Sequence, residues 1–115
     1  MQTLDQPLKN SVIKYQKKYV AVKLPYFVSE IMQSLAIDDN EEIDAILIRA
    51  FNTYNILQLP IKLNFKKVFR CDGKMLFSDW KISKLASYLI IINCNPNNVL
   101  VAKAQLYFAL RNTNH

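Results

Sequence analysis

The spacing of hydrophobic positions changes repeatedly along this chain, and each change marks the edge of an element. Over residues 11–24, Val12, Lys14, Tyr19, Ala21 and Lys23 fall on one alternating phase, and Ile13, Tyr15, Val20, Val22 and Leu24 on the other. With Gln16-Lys17-Lys18 at the midpoint, this predicts a β-hairpin or two short strands. Pro25 suits the first position of a helix, where its missing N–H costs nothing. Phe27, Ile31, Met32 and Leu35 then recur at helical spacing and predict a helix over 25–36. Asp39, with Glu42 three residues on, reads as a capping box. It opens a helix over about 40–57 whose apolar stripe is Ile43, Ile46, Leu47, Ala50 and Tyr54.

Pro60 stops that helix, and the period returns to two. Ile61, Leu63 and Phe65 alternate with Lys62, Asn64 and Lys66, predicting a half-buried strand. It continues over 68–70 past an irregularity at Lys66-Lys67. Asp72-Gly73 holds the only glycine and predicts a type I′ hairpin turn, with a return strand over 74–77. Ser78 or Asp79 then caps a helix whose stripe is Ile82, Leu85, Ala86, Leu89, Ile90 and Asn93. Asn95-Pro96-Asn97-Asn98 breaks it, and a last helix runs over 99–111. Strands and helices segregate along the chain, so the fold class is α+β. The expected architecture is a small, mostly antiparallel sheet, built from the N-terminal strands and the hairpin, with about four helices. Residues 1–10 read as a tail and 11–115 as a single domain.

Composition changes little in that picture. At 115 residues the chain can bury roughly two thirds of its unfolded surface, and half its residues are apolar, which argues against disorder. The longest apolar run, Leu89 to Ile92, is far short of the ~20 residues of a membrane span. Two cysteines, Cys71 and Cys94, and no apolar leader over 1–10 fit a reducing compartment, cytoplasmic or plastid-like.

Charge changes it more. Residues 9–23 carry Lys9, Lys14, Lys17, Lys18 and Lys23 with no acid. Residues 24–61 carry Glu30, Asp38, Asp39, Glu41, Glu42 and Asp44 against Arg49 alone. Residues 62–84 turn basic again, with Lys62, Lys66, Lys67, Arg70, Lys74, Lys81 and Lys84 against Asp72 and Asp79. The formal charge of +6 therefore understates how polar the surface is. Basic blocks sharing one face would attract a polyanion. The bland alternative is that lysines merely solvate strand edges.

Catalytic chemistry is hard to find. His115 is the only histidine, so Cys-His and Ser-His-Asp arrangements lack a base. One glycine rules out a glycine-rich phosphate cradle. The chain holds too few soft ligands for a structural zinc site, and the acids of 38–44 are explained by helix capping and the helix dipole. No enzyme activity, metal or cofactor is expected. Tyr15, Tyr19 and Trp80 lie beside lysines and could stack on bases. Tyr88 and Tyr107 read as core-edge residues.

The last third of the chain carries a family likeness. Asp79-Trp80-Lys81-Ile82-Ser83-Lys84, Tyr88-Leu89-Ile90, Asn93, Pro96, Ala104-Gln105 and Tyr107-Phe108-Ala109 resemble the N-terminal domain of the DNA damage-inducible protein D family. More loosely, the chain is similar to the BRO-type domains of phages and large DNA viruses. Pro25-Tyr26-Phe27-Val28-Ser29-Glu30-Ile31 stands where those families place an aromatic residue ahead of a helix. That helix usually ends in a Gly-aromatic pair, replaced here by Ala36-Ile37. The resemblance implies a DNA-associated regulatory module, linked to the DNA-damage response or to phage and viral gene regulation, and phosphate contacts would give it low sequence specificity. On that basis Lys62, Lys66, Lys67, Arg70 and Lys74 are expected to contact phosphates, helped by Lys81 and Lys84. The alternative is a protein-interaction or assembly subunit that docks on a protein partner, or whose acidic helix pairs with the basic hairpin of another copy.

Overall fold

A long β-hairpin projects from a packed helical body in the computed structural model, which describes residues 22–113. In chain order the elements are β1 (Tyr26–Phe27), α1 (Val28–Ser34), α2 (Asn40–Ile56) and the single turn α3 (Ile61–Asn64). They continue with β2 (Phe65–Asp72), β3 (Met75–Ile82), α4 (Lys84–Ile92) and α5 (Val99–Thr113). The three strands form one antiparallel sheet in the order β1-β3-β2. With four helices of seven or more residues, the fold is α+β, as the segregation of elements predicts. The N-terminal strands expected over 11–24 fall outside the described residues, except for 22–24, which carry no strand.

α2 begins where the sequence places it, because the Asp39 carboxylate accepts the Glu41 backbone N–H at 3.0 Å. α1 and α2 both end in the Schellman arrangement. Ile37 N–H donates to Met32 O at 2.9 Å and Ala36 N–H to Gln33 O at 3.1 Å. Leu59 N–H donates to Tyr54 O at 2.8 Å and Gln58 N–H to Asn55 O at 3.1 Å. This geometry puts Ala36 and Gln58 in the left-handed region, at φ 56° and 55°.

Four expectations are corrected. The helix expected from Pro25 starts at Val28, because Tyr26 and Phe27 pair with Ile82 and Lys81 as a third strand. Residues 61–64 form a helical turn, not a strand. The Asn64 amide donates to Pro60 O at 2.9 Å and closes the turn on itself. The return strand is eight residues, not four, and takes in Ser78 and Asp79, so neither caps the next helix. Ser83 does: its hydroxyl accepts the Ala86 N–H at 3.1 Å. Asp72 pairs with Met75, so the turn is Gly73-Lys74. Gly73 has φ +63° and Lys74 is not left-handed, which excludes type I′ and suits a turn with glycine at its first central position.

The core lies between α2, α4 and the root of the hairpin. Ile46, Leu47, Ala50 and Tyr54 of α2 meet Ala86 and Ile90 of α4, with Phe65 and Ile82 from the strands. Phe51 packs edge-on against Phe65 at 4.8 Å and Trp80 at 5.5 Å between ring centres. Val28 and Met32 of α1 and Val101 of α5 complete it. Cys94 is buried here, and desolvation pushes its thiol up to about 11. Among the described residues, no helix is long and apolar enough to cross a membrane.

Candidate functional site

Strand register sorts the hairpin's side chains onto two faces. Phe65, Lys67, Phe69 and Cys71 share one face with Leu76, Ser78, Trp80 and Ile82. Lys66, Val68, Arg70 and Asp72 share the other with Met75, Phe77, Asp79 and Lys81. α2 covers the root of the first face through Phe51 and Tyr54. α1 covers the root of the second through Ser29 and Glu30. Beyond those helices the ribbon is bare, and every residue from Cys71 to Ser78 is exposed.

Arg70 is withdrawn from the expected phosphate contacts. Its guanidinium lies 3.8 Å above the Phe27 ring, 3.1 Å from Asp79 Oδ2 and 3.4 Å from Glu30 Oε2. Asp79 is buried and also accepts from the Ser29 N–H at 3.1 Å, the Trp80 N–H at 2.8 Å and the Ser29 hydroxyl. Burial works to raise its pKa, but these donors and Arg70 outweigh it and hold the carboxyl below its ordinary value. The cluster is a joint that fixes α1 to the hairpin. The hairpin register contained the signal. Arg70 lies diagonally across from Asp79 on one face, within reach of a long side chain.

The lysines stand differently. Lys62, Lys66, Lys67, Lys74 and Lys84 are exposed and Lys81 is half-buried. Among the described residues none of the six makes an ion pair. Lys66 and Lys81 are direct cross-strand partners on one face. Like charges so placed repel, and neither lysine forms an ion pair in the described fold. Lys81 Nζ sits 5.8 Å from the Phe27 ring centre, and on the opposite face Lys67 Nζ lies 5.9 Å from that of Trp80. Both contacts hold the ammonium groups near the hairpin's root. Lys62 and Lys84 flank that root in the chain, whereas Lys74 is in the turn.

Trp80 is thus half-buried and engaged with Phe51, Phe65 and Lys67. Tyr15 and Tyr19 fall outside the described residues. Tyr88 packs edge-on against Phe108 at 5.2 Å, as expected of a core-edge residue, but Tyr107 is largely exposed. Sequence reasoning missed the apolar end of the ribbon: Phe69, Met75 and Leu76 are 71%, 72% and 70% exposed. Its signal was Met75-Leu76-Phe77, three apolar residues in a row beside a turn. In a strand such a run must put apolar groups on both faces.

The acids at the start of α2 do not meet the hairpin lysines. Asp38, Asp39, Glu41 and Asp44 are exposed and make no ion pair among the described residues. No group of three or more metal-ligating side chains converges among the described residues. Comparison with known proteins returns no match to a protein-family model, a curated protein or a solved structure.

Proposed function

We propose that this chain is a non-enzymatic regulatory module that associates with DNA through the lysines of its hairpin, in a reducing intracellular compartment. The observation that carries this is the set Lys66, Lys67, Lys74 and Lys81. These cations lie on one protruding ribbon without an acidic partner among the described residues, two of them directly opposed. A phosphate between Lys66 and Lys81 would turn their repulsion into attraction. Lys62 and Lys84, beside the root, would extend the contact. Sequence-independent affinity of this type comes from phosphate neutralisation. No Arg, Asn or Gln stands on the bare part of the ribbon to read base edges.

The resemblance to the damage-inducible D and BRO-type domains supports the same function, and one of its departures has a physical counterpart. Ala36-Ile37 replaces the usual Gly-aromatic pair, and Ala36 holds the left-handed conformation that glycine favours. Ile37 is buried, where a large apolar residue belongs. The backbone thus keeps a glycine's geometry without the glycine.

A second function, as a subunit that docks on protein, draws support from the outer face of α5, where Leu106, Tyr107 and Leu110 are exposed. One experiment separates the two. The full chain is passed over immobilised heparin and, in parallel, titrated into labelled duplex and single-stranded DNA at low salt. The DNA module is retained on heparin and binds DNA. Loss of retention at low salt, with one stoichiometric protein co-purifying, would replace it with the docking subunit.

A further inference from the structure

We infer that the bare end of the hairpin is a wedge that enters a groove of duplex DNA, unstacks a base step and bends the duplex. This deepens the DNA-associated function proposed above and depends on it. Phe69 and Leu76 project from one face of the ribbon, and Met75 and Phe77 from the other, all of them exposed. A partner laid against one face would leave the other in water. A groove closes on both faces at once.

The side chains are of the kind that wedges use, since Phe, Leu and Met insert between base steps and partly unstack them. Charge selects the occupant. Lys66 and Lys81 on one face and Lys67 on the other stand behind the apolar end, so cations flank the ribbon on both sides. Lys67 is four residues before Cys71, which pairs with Leu76. At about 3.3 Å per residue that sets Lys67 roughly 13 Å behind Leu76 but only about 7 Å behind Phe69, and Lys66 and Lys81 roughly 13 Å behind Phe77. DNA grooves are about 8 Å deep, so an inserted tip leaves these ammonium groups just outside the rim, at the phosphates. With no Arg, Asn or Gln on the bare ribbon, selection would fall mainly on duplexes that deform easily.

The test uses the full chain and a duplex of about 25 bp carrying a fluorescent donor and acceptor at its ends, long enough for a bend to register. The wild type should raise energy transfer on binding and prefer a duplex with a central mismatch over the matched one. The double variant Phe69→Ala/Leu76→Ala changes only exposed groups, and its melting temperature confirms that it folds. It should lose most of the bend and about tenfold in affinity, with the slope of affinity against salt unchanged. Binding without any bend, or a double variant that bends DNA like the wild type, overturns the wedge and leaves the DNA function standing. A dimer by light scattering that dissociates in the double variant also overturns it, because the tip would then be covered by a second copy. Failure to bind any duplex at low salt removes both.

Discussion

At the scale of single residues, two side chains show where local chemistry and fold disagree. Ala36 pays a left-handed backbone cost of about 1 kcal/mol that glycine would not. Ala36→Gly should therefore stabilise the protein by about 0.5–1 kcal/mol, read as a rise in the urea midpoint. Asp79 supplies a pH dependence. Its folded-state pKa lies below its unfolded value near 3.9, so its contribution to stability is fully present above that value. It is lost as pH falls through the folded pKa. Asp79→Asn should cost about 2 kcal/mol at pH 7 and flatten the fall in stability below pH ~4; an unchanged acid limb would refute this role. Arg70 looked like one more cation of a basic block because Asp79 is nine positions away and Glu30 forty. The hairpin register brings Asp79 to Arg70 and α1 brings Glu30, and placing the turn one residue early shifts every cross-strand partner by two.

At the scale of elements, the helices were largely legible and the junctions were not. Apolar spacing and the Asp39 cap located α2 to within a residue at each end, and the Asn/Pro break located the start of α5. The errors lie where one residue type suits two roles. Asp79 and Ser83 are both good helix caps, and strand pairing decided between them. Once Phe65 to Asp72 had a full-length partner, Asp79 belonged to the sheet and the cap moved to Ser83. Ser83 also ties the hairpin's two roots. Its N–H donates to Asn64 O at 3.0 Å and its hydroxyl to Asn64 Oδ1 at 2.6 Å, while the same oxygen accepts from Ala86. Ser83→Ala removes a cap and the hydroxyl's hydrogen bond to buried Asn64. A loss of about 2 kcal/mol is expected in denaturant unfolding. Ser83→Thr, which keeps the hydroxyl, should recover most of it.

At the scale of the whole molecule, charge is largely segregated: acids at the exposed start of α2, lysines along the ribbon beside one exposed acid, Asp72, and among the described residues no ion pair joining the two sets. The block pattern of the sequence foretold this segregation. It could not show which cations the fold would use internally: among the described residues Arg70 pairs with Asp79 and Glu30, and Arg49 donates to Asn93 O at 2.7 Å. The most direct test of the account is the salt dependence of duplex binding by the full chain. Four hairpin lysines on phosphates predict that log K falls against log salt with a slope of about −3.6, and that replacing each lysine by glutamine flattens it by about 0.9. A slope that survives loss of Lys66, Lys67, Lys74 and Lys81, or no binding at low salt, would contradict it.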